Sequence, residues 1–176
     1  MAGYNLLDID LSARKYHREE IPAEIIEKFM GGRGLGAYLL YQSTTKGLDP
    51  LSPENPLIFS AGLAQGLPTP FSPKLAMNTK SPLTGLYLFS VTSGALGHNL
   101  RRCGYISLRI TGKLDQPHYI VISDTGVEFR DARHVWGKNS REAQEIILRE
   151  TAAKKGDVAV IGHAGEEAGP LWGPSS

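Results

Sequence analysis

The 176-residue sequence contains a single cysteine, Cys103, almost no excess of either charge and no long apolar run. One thiol excludes a disulfide framework within the chain, a cysteine-based zinc site and a self-contained iron–sulfur cluster, because each needs several thiolates. Lys and Arg number 19 against 18 Asp and Glu, a net charge of +1. That balance lacks the basic excess that nucleic acid or an anionic membrane demands, and neither is expected as a partner. No segment approaches the roughly 20 apolar residues of a membrane span. The N-terminus, Met1-Ala2-Gly3-Tyr4-Asn5, has no basic region, and the apolar stretch behind it is broken by Asp8 and Asp10, so no signal peptide is read and the expected location is cytoplasmic. Phosphate-loop and nucleophile-elbow sequences are absent, and His17, His98, His118, His134 and His163 show no metal-ligand spacing.

What is present is a succession of short elements. Leu7, Ile9 and Leu11 alternate with polar residues, and the segments 4–11 and 14–20 flank Ser12-Ala13 as a hairpin. Pro22 and Glu24 open a short helix carrying Ile25, Ile26 and Phe29, which Gly31-Gly32 stops. Leu35, Tyr38 and Leu39 predict a second helix that ends near Gly47. Prolines at 50, 53, 56, 68, 70, 73 and 82 forbid a long helix over the next stretch. They leave Leu57-Ile58-Phe59-Ser60-Ala61 and Leu75-Ala76-Met77-Asn78-Thr79 as strands. Further strands are predicted over 86–91 and 105–110, with helical turns over 96–102 between them. A hairpin, 119–123 and 127–130, closes on Asp124-Thr125-Gly126. Asn139, with Glu142 three residues on, caps a helix that reaches Lys154-Lys155-Gly156, and Val158-Ala159-Val160-Ile161 is predicted as a last strand. Strands outnumber helices and several are joined by tight turns, so the class is α+β with mostly antiparallel sheets. The segment 167–176 has no periodicity and is read as an irregular tail beyond a domain of residues 1–166.

Three local patterns carry chemistry. Gly32-Arg33-Gly34-Leu35-Gly36-Ala37 fits the dinucleotide pattern G-x-G-x-x-A, but a helix rather than a strand precedes it, so a helix-to-helix corner competes with nucleotide binding. Lys74, Asn78, Thr79, Lys80, Ser81 and the Thr92-Ser93-Gly94 turn combine ammonium groups, hydroxyls and free backbone N–H groups. Such a set holds phosphate or a pterin edge, while solvated lysines on a strand edge would look the same. Cys103 lies beside Arg101-Arg102; a cationic neighbourhood lowers a thiol pKa, and burial at a helix end makes it inert.

The order of further segments is more specific. Gly32-Arg33-Gly34-Leu35 with Leu39-Leu40, Asp49-Pro50-Leu51-Ser52-Pro53-Glu54-Asn55, Thr79-Lys80-Ser81-Pro82-Leu83-Thr84-Gly85, Cys103-Gly104-Tyr105, Thr111-Gly112-Lys113, Val135-Trp136-Gly137-Lys138 and Ile161-Gly162-His163-Ala164-Gly165-Glu166 together resemble the N-terminal domain of the tungsten-containing aldehyde ferredoxin oxidoreductase family. The resemblance covers residues 4–166. It implies two mostly antiparallel β-sheets in a saddle-like arrangement with a few short helices, covering one side of a tungsten or molybdenum bis-pterin with a bridging magnesium. It places Lys74 where the family has a phosphate-binding arginine, and Val91, Thr92, Ser93 and Gly94 on the turn that lies against the pterin, with the Val91 carbonyl as the magnesium ligand. Lysine keeps the charge and loses the bidentate fork, and Val91 stands where the family has asparagine.

The resemblance further implies that the catalytic groups and the [4Fe–4S] cluster belong to domains this sequence does not contain. The chain is accordingly read as a truncation or frameshift product or a separated subunit. Its expected partners are the remaining domains or a companion subunit and, through them, ferredoxin. A non-catalytic binding or partner protein that kept the fold and lost the cofactor is the alternative.

Overall fold

The computed structural model describes residues 4–65, 67, 74–153 and 156–166. The expected α+β class with mostly antiparallel sheets is what the backbone forms. Among the described residues a six-stranded sheet runs in the order β2-β1-β6-β3-β4-β5 and a separate hairpin pairs β7 with β8. The strands are β1 (Asn5–Asp10), β2 (Lys15–Glu20), β3 (Leu57–Ala61), β4 (Lys74–Lys80), β5 (Tyr87–Ser93), β6 (Ser107–Thr111), β7 (His118–Ile122) and β8 (Val127–Asp131). Neighbours in the large sheet are antiparallel except β1 and β6, which run parallel with Leu6 beside Ser107 and Asp10 beside Thr111.

The sheet is covered on both faces near its centre. Helices α1 (Ala23–Phe29) and α2 (Gly32–Ser43) cover one face, where Leu6, Ile26, Leu35, Leu39, Ile58 and Ile106 form a core. On the other face, Leu7, Ile9, Leu75, Leu100 and Leu108 pack beneath α3 (Leu96–Arg102) and the β7–β8 hairpin, which contributes Ile120, Ile122 and Phe129. β1 therefore feeds both cores, Leu6 to one and Leu7 and Ile9 to the other, as the period of two in a strand requires. Asp8 falls on the helix side of this buried strand. Its charge is met by Arg109 of β6, whose Nε and Nη2 each donate to the carboxylate at 2.7 Å. Nη1 of the same arginine donates to Ser43 at 3.0 Å, tying the end of α2 to the sheet.

The corner between α1 and α2 shows why glycine stands there. Met30 adopts the left-handed conformation at φ 59° and its N–H bonds the Ile26 carbonyl at 2.8 Å. Gly31, at φ 78°, then forms a bridge to Gly62, where a Cβ would stand 2.7 Å from the Ala61 carbonyl oxygen. Gly36 lies one turn into α2, directly against the Asn78 amide of β4, with no room for a Cβ. Gly31 and Gly36 thus bring α2 down onto the sheet. Of the two glycines the G-x-G-x-x-A pattern requires, Gly34 is held by packing, since a Cβ there would collide with the Phe29 carbonyl oxygen of α1, while Gly32 takes the left-handed conformation at φ 53°.

Several boundaries differ from the sequence reading. The second helix begins at Gly32 and stops at Ser43, because the Ser43 and Thr44 hydroxyls donate to the Leu39 and Leu40 carbonyls at 2.7 and 2.9 Å. Helix α4 (Ser140–Glu150) is capped as predicted, Asn139 Oδ1 accepting from the Glu142 N–H at 3.0 Å, but it ends at Glu150. Lys154 and Lys155, expected at its end, lie outside the described residues. The strand predicted over 158–161 does not form. Val158 and Val160 pack instead on a third core of Ala132, Val135, Ala143 and Ile147, and Gln144 of α4 donates to the Val158 carbonyl at 3.2 Å. A short apolar run satisfied by a helix needs no strand partner. A last helical turn, α5 (His163–Glu166), follows, and the Glu166 carboxylate accepts from the Gly137 N–H at 3.1 Å. The tail of residues 167–176 and the prolines at 68, 70 and 73 lie outside the described residues.

Candidate functional site

β5 differs from every other strand of the large sheet except β2 in having little over it. It is an edge strand, and Tyr87, Phe89, Ser90, Val91, Thr92 and Ser93 are all exposed. An edge strand leaves every second N–H and C=O without a strand partner. The antiparallel register sets Lys74 opposite Ser93, Leu75 opposite Thr92, Ala76 opposite Val91 and Asn78 opposite Phe89. The start of β4 and the end of β5 thereby bring Lys74, Thr92, Ser93 and Gly94 to one corner, with Val91 two residues along the same face as Ser93. Lys74 is exposed there, and its carbonyl accepts from Gln65 Nε2.

The other residues of the phosphate-type set serve the scaffold. Asn78 is fully buried; its Nδ2 donates to the Ile58 carbonyl at 3.3 Å and its Oδ1 accepts from the Tyr87 hydroxyl at 2.7 Å. The Lys80 ammonium donates to the Leu48 carbonyl, and Asn55 Nδ2 donates to the Lys80 carbonyl at 3.0 Å. Ser81 is buried, and its Oγ accepts from the Thr84 N–H at 3.3 Å in the turn that leads to β5. Sequence patterning alone does not separate these residues from Lys74; only register and burial do.

Two features went unread in the sequence. Arg33, in the first turn of α2, holds its guanidinium 4.9 Å from the Phe89 ring centroid and 6.0 Å from that of Tyr87. Asp157 reaches the opposite end of β5, where a Cβ on Gly94 would stand 3.3 Å from its Oδ2. The alternation of Tyr87, Phe89 and Val91 was a legible sign of one apolar face; the approach of residues 33 and 157 was not, since both are distant in sequence. Burial pushes the Tyr87 hydroxyl above the ordinary tyrosine range, and the Arg33 guanidinium opposes that shift. Behind this face, Leu40, Tyr41, Thr44, Lys46, Lys80 and Tyr87 line a cleft of about 460 Å³.

Elsewhere the candidates are quiet. Cys103 caps the end of α3, half-buried, with its thiol pushed up by burial and by Asp124 in spite of Arg102, so the cationic-thiol reading does not hold. His17 pairs with Asp8 at 3.2 Å and His134 with Glu150 at 2.8 Å. Among the described residues no three His, Cys, Asp or Glu side chains gather as a metal site, and no helix is long and apolar enough to cross a membrane.

The collinear motifs converge on this geometry, with the Thr79-to-Gly85 turn feeding the open strand and the Gly137 backbone bound to Glu166. The aldehyde ferredoxin oxidoreductase N-terminal domain family matches residues 6–171. The chain belongs to that family. It is 40% identical over 158 residues to the tungsten-containing aldehyde ferredoxin oxidoreductase of Pyrococcus furiosus, a match that covers 90% of this chain and 26% of the relative. It is 36% identical over 157 residues to a Pyrococcus furiosus aliphatic sulfonate oxidoreductase, WOR-like subunit, covering 85% of this chain and 24% of the relative. Among solved structures, a chain of the active site complex BamBC of benzoyl coenzyme A reductase, in complex with 1,5-dienoyl-CoA, superposes with a TM-score of 0.88. It is 35% identical and is matched over 92% of this chain and 25% of its own length. The chain thus spans about a quarter of the length of each of these proteins.

Proposed function

We propose that this chain is the cofactor-covering N-terminal domain of an aldehyde:ferredoxin oxidoreductase-type enzyme, with the β4–β5 corner facing a tungsten or molybdenum bis-pterin. The observation that carries the reading is the meeting of Lys74 with Thr92, Ser93 and Gly94 on an open edge strand in a chain of this family. The donor set fits such a group. One ammonium, the Ser93 hydroxyl on its face and the outward N–H groups of an edge strand suit phosphate oxygens. The carboxylate of Asp157 beside Gly94 would repel a bare phosphate and suits one shared with magnesium, a hard cation that takes oxygen ligands. The Val91 carbonyl would serve as the backbone ligand in this arrangement, a role that does not depend on its side chain.

When bound, the metal pterin supplies the two-electron oxidation of an aldehyde and water to a carboxylic acid, with electrons passed by a [4Fe–4S] cluster to ferredoxin. The chain's own part is binding and shielding. Lys74 balances phosphate charge, the Ser93 hydroxyl on the same face orients it, Thr92 on the opposite face supports the turn by donating to the Ser93 carbonyl at 3.2 Å, and the exposed side chains of Phe89 and Val91 keep water from the covered face. None of the residues in this chain is assigned the acid, base or cluster-binding roles; these belong to the remaining domains or a companion subunit, and ferredoxin is reached through those.

The test is Lys74→Ala, expressed with the domains that complete the enzyme. Pterin and tungsten retention after gel filtration should fall several-fold while the melting temperature holds, because Lys74 is exposed. Unchanged occupancy would remove Lys74 from the site. Wild-type protein assembled with those domains yet free of tungsten, molybdenum and pterin would favour the partner-protein alternative.

A further inference from the structure

Four arginines of this fold are held by carboxylates. Arg109 is paired with Asp8, Arg130 with Glu128, Arg133 with Asp131 and Arg141 with Glu145. Arg33 is held by rings instead. Its guanidinium lies over Phe89 and Tyr87, and among the described residues no carboxylate stands within ion-pair distance of it. Arg18 and Arg101 also lie over rings, those of Tyr105 and Tyr4. The Arg33 platform has two rings and belongs to the strand that carries Val91 and Ser93.

An arginine so placed is already ordered. The aromatic faces attract its charge without using its N–H groups, and a guanidinium has five donors in a rigid fork. The Tyr87 hydroxyl beside it already donates to Asn78 at 2.7 Å. Among the described residues the guanidinium makes no ion pair, and the side chain is exposed. The two ends of the β5 face therefore differ in charge. At the Gly94 end the Lys74 ammonium shares its corner with the Asp157 carboxylate. At the Phe89 end Arg33 stands without a counter-charge. Four residues along the strand, about 13 Å by the rise of an antiparallel strand, separate Phe89 from Ser93, and the floor between them is Val91 over Ala76.

We propose that Arg33 is an oxyanion-binding residue: it takes a phosphate or carboxylate group of a ligand that lies along the Val91 face, at the end of β5 opposite Lys74. The ligand class is thus an anion with an apolar or planar body, read at two points rather than one. Arg33 does here what Lys74 does less well, because its fork accepts two oxygens at once and its rotamer is fixed before the ligand arrives. The inference deepens the cofactor-facing reading of this surface without requiring the metal.

The test uses the 176-residue chain with no cofactor. Inorganic pyrophosphate and, separately, malonate are titrated while the Arg33 Nε–H resonance is followed by NMR. One of the two probes should shift that resonance, the first arm marking a phosphate site and the second a carboxylate site. Arg33→Gln should weaken binding of the same probe by about tenfold, equivalent to about 1.4 kcal/mol. Arg33→Lys, which keeps the charge on the same aromatic platform, should recover part of the loss and guards against a merely misfolded variant. An Arg33 resonance unmoved by either probe, or a probe bound equally well by Arg33→Gln, overturns the proposal. Loss of pyrophosphate binding in Lys74→Ala alone overturns it too while leaving the cofactor-facing reading intact. Loss in Arg33→Gln, together with undiminished pterin retention in Lys74→Ala enzyme, supports it and removes Lys74.

Discussion

At the centre of the large sheet β1, β6 and β3 are covered on both faces, and the partly buried acid of β1, Asp8, is answered by two hydrogen bonds from Arg109. At the margin β5 leaves Val91, the hydroxyls of Ser90, Thr92 and Ser93 and a strand edge open. The same sheet therefore has a half that is finished by its own chain and a half that is not. Contiguous exposed apolar surface of this kind, with Tyr87, Phe89, Val91 and Leu86 together, is what a protein keeps for something that covers it. The difference separates what holds the fold from what the fold is for.

The sharpest way to break that separation is to truncate one side chain in each half. Leu7→Ala in the closed half should cost about 3 kcal/mol, because Leu7 has no exposed surface and its cavity forms between two packed layers. Leu86→Ser at the open margin should change stability by no more than ~0.5 kcal/mol. Urea denaturation of both variants checks this, and equal losses would erase the distinction. Arg109→Met comes next, at about 2 kcal/mol, since it leaves a mostly buried Asp8 carboxylate with only the exposed His17 beside it. Its unfolding midpoint in urea should drop while the slope stays constant, and an unchanged midpoint would show that the ion pair contributes nothing net.

The smallest effect concerns a wholly exposed pair. The Arg133 guanidinium and its backbone N–H hold the Asp131 carboxyl at about 2, below its ordinary 3.8. A carboxylate depressed in the folded state stabilises it above the ordinary value and loses that contribution as pH falls from 3.8 toward 2. Arg133→Ala removes the guanidinium and leaves the backbone N–H in place, so the Asp131 titration should rise by NMR toward 3.8 without reaching it, with little change in melting temperature at neutral pH. A titration that stays near 2 would assign the shift to something other than the Arg133 guanidinium.

The legibility of the two halves in the sequence also differs. The β1–β2 hairpin, the Pro22 helix start, the Asn139 cap and the extents of β3 and α3 follow from local chemistry, because alternation, caps and turns are written within a few residues. The failures are of two kinds. Val158 to Ile161 has the apolar composition of a strand, and only the arrival of α4 and its Gln144 decides that it remains unpaired. Lys80 and Asn78 look like ligand-binding groups until Asn55, Leu48 and Tyr87 are seen to occupy them. In the candidate site, Lys74 and the 91–94 turn came from the resemblance to a family, and their convergence is a matter of β4–β5 register. Arg33 and Asp157 were invisible because each reaches β5 from a distant part of the chain.

Hydrogen exchange of the β5 amides in the assembled enzyme, without and with its tungsten or molybdenum pterin, tests the central claim most directly. The exchange of residues 91–94 should slow sharply when the cofactor is loaded, while β1 and β6, already closed on both faces, exchange slowly in both states. If residues 91–94 exchange equally fast with and without the cofactor, the β4–β5 corner does not face it.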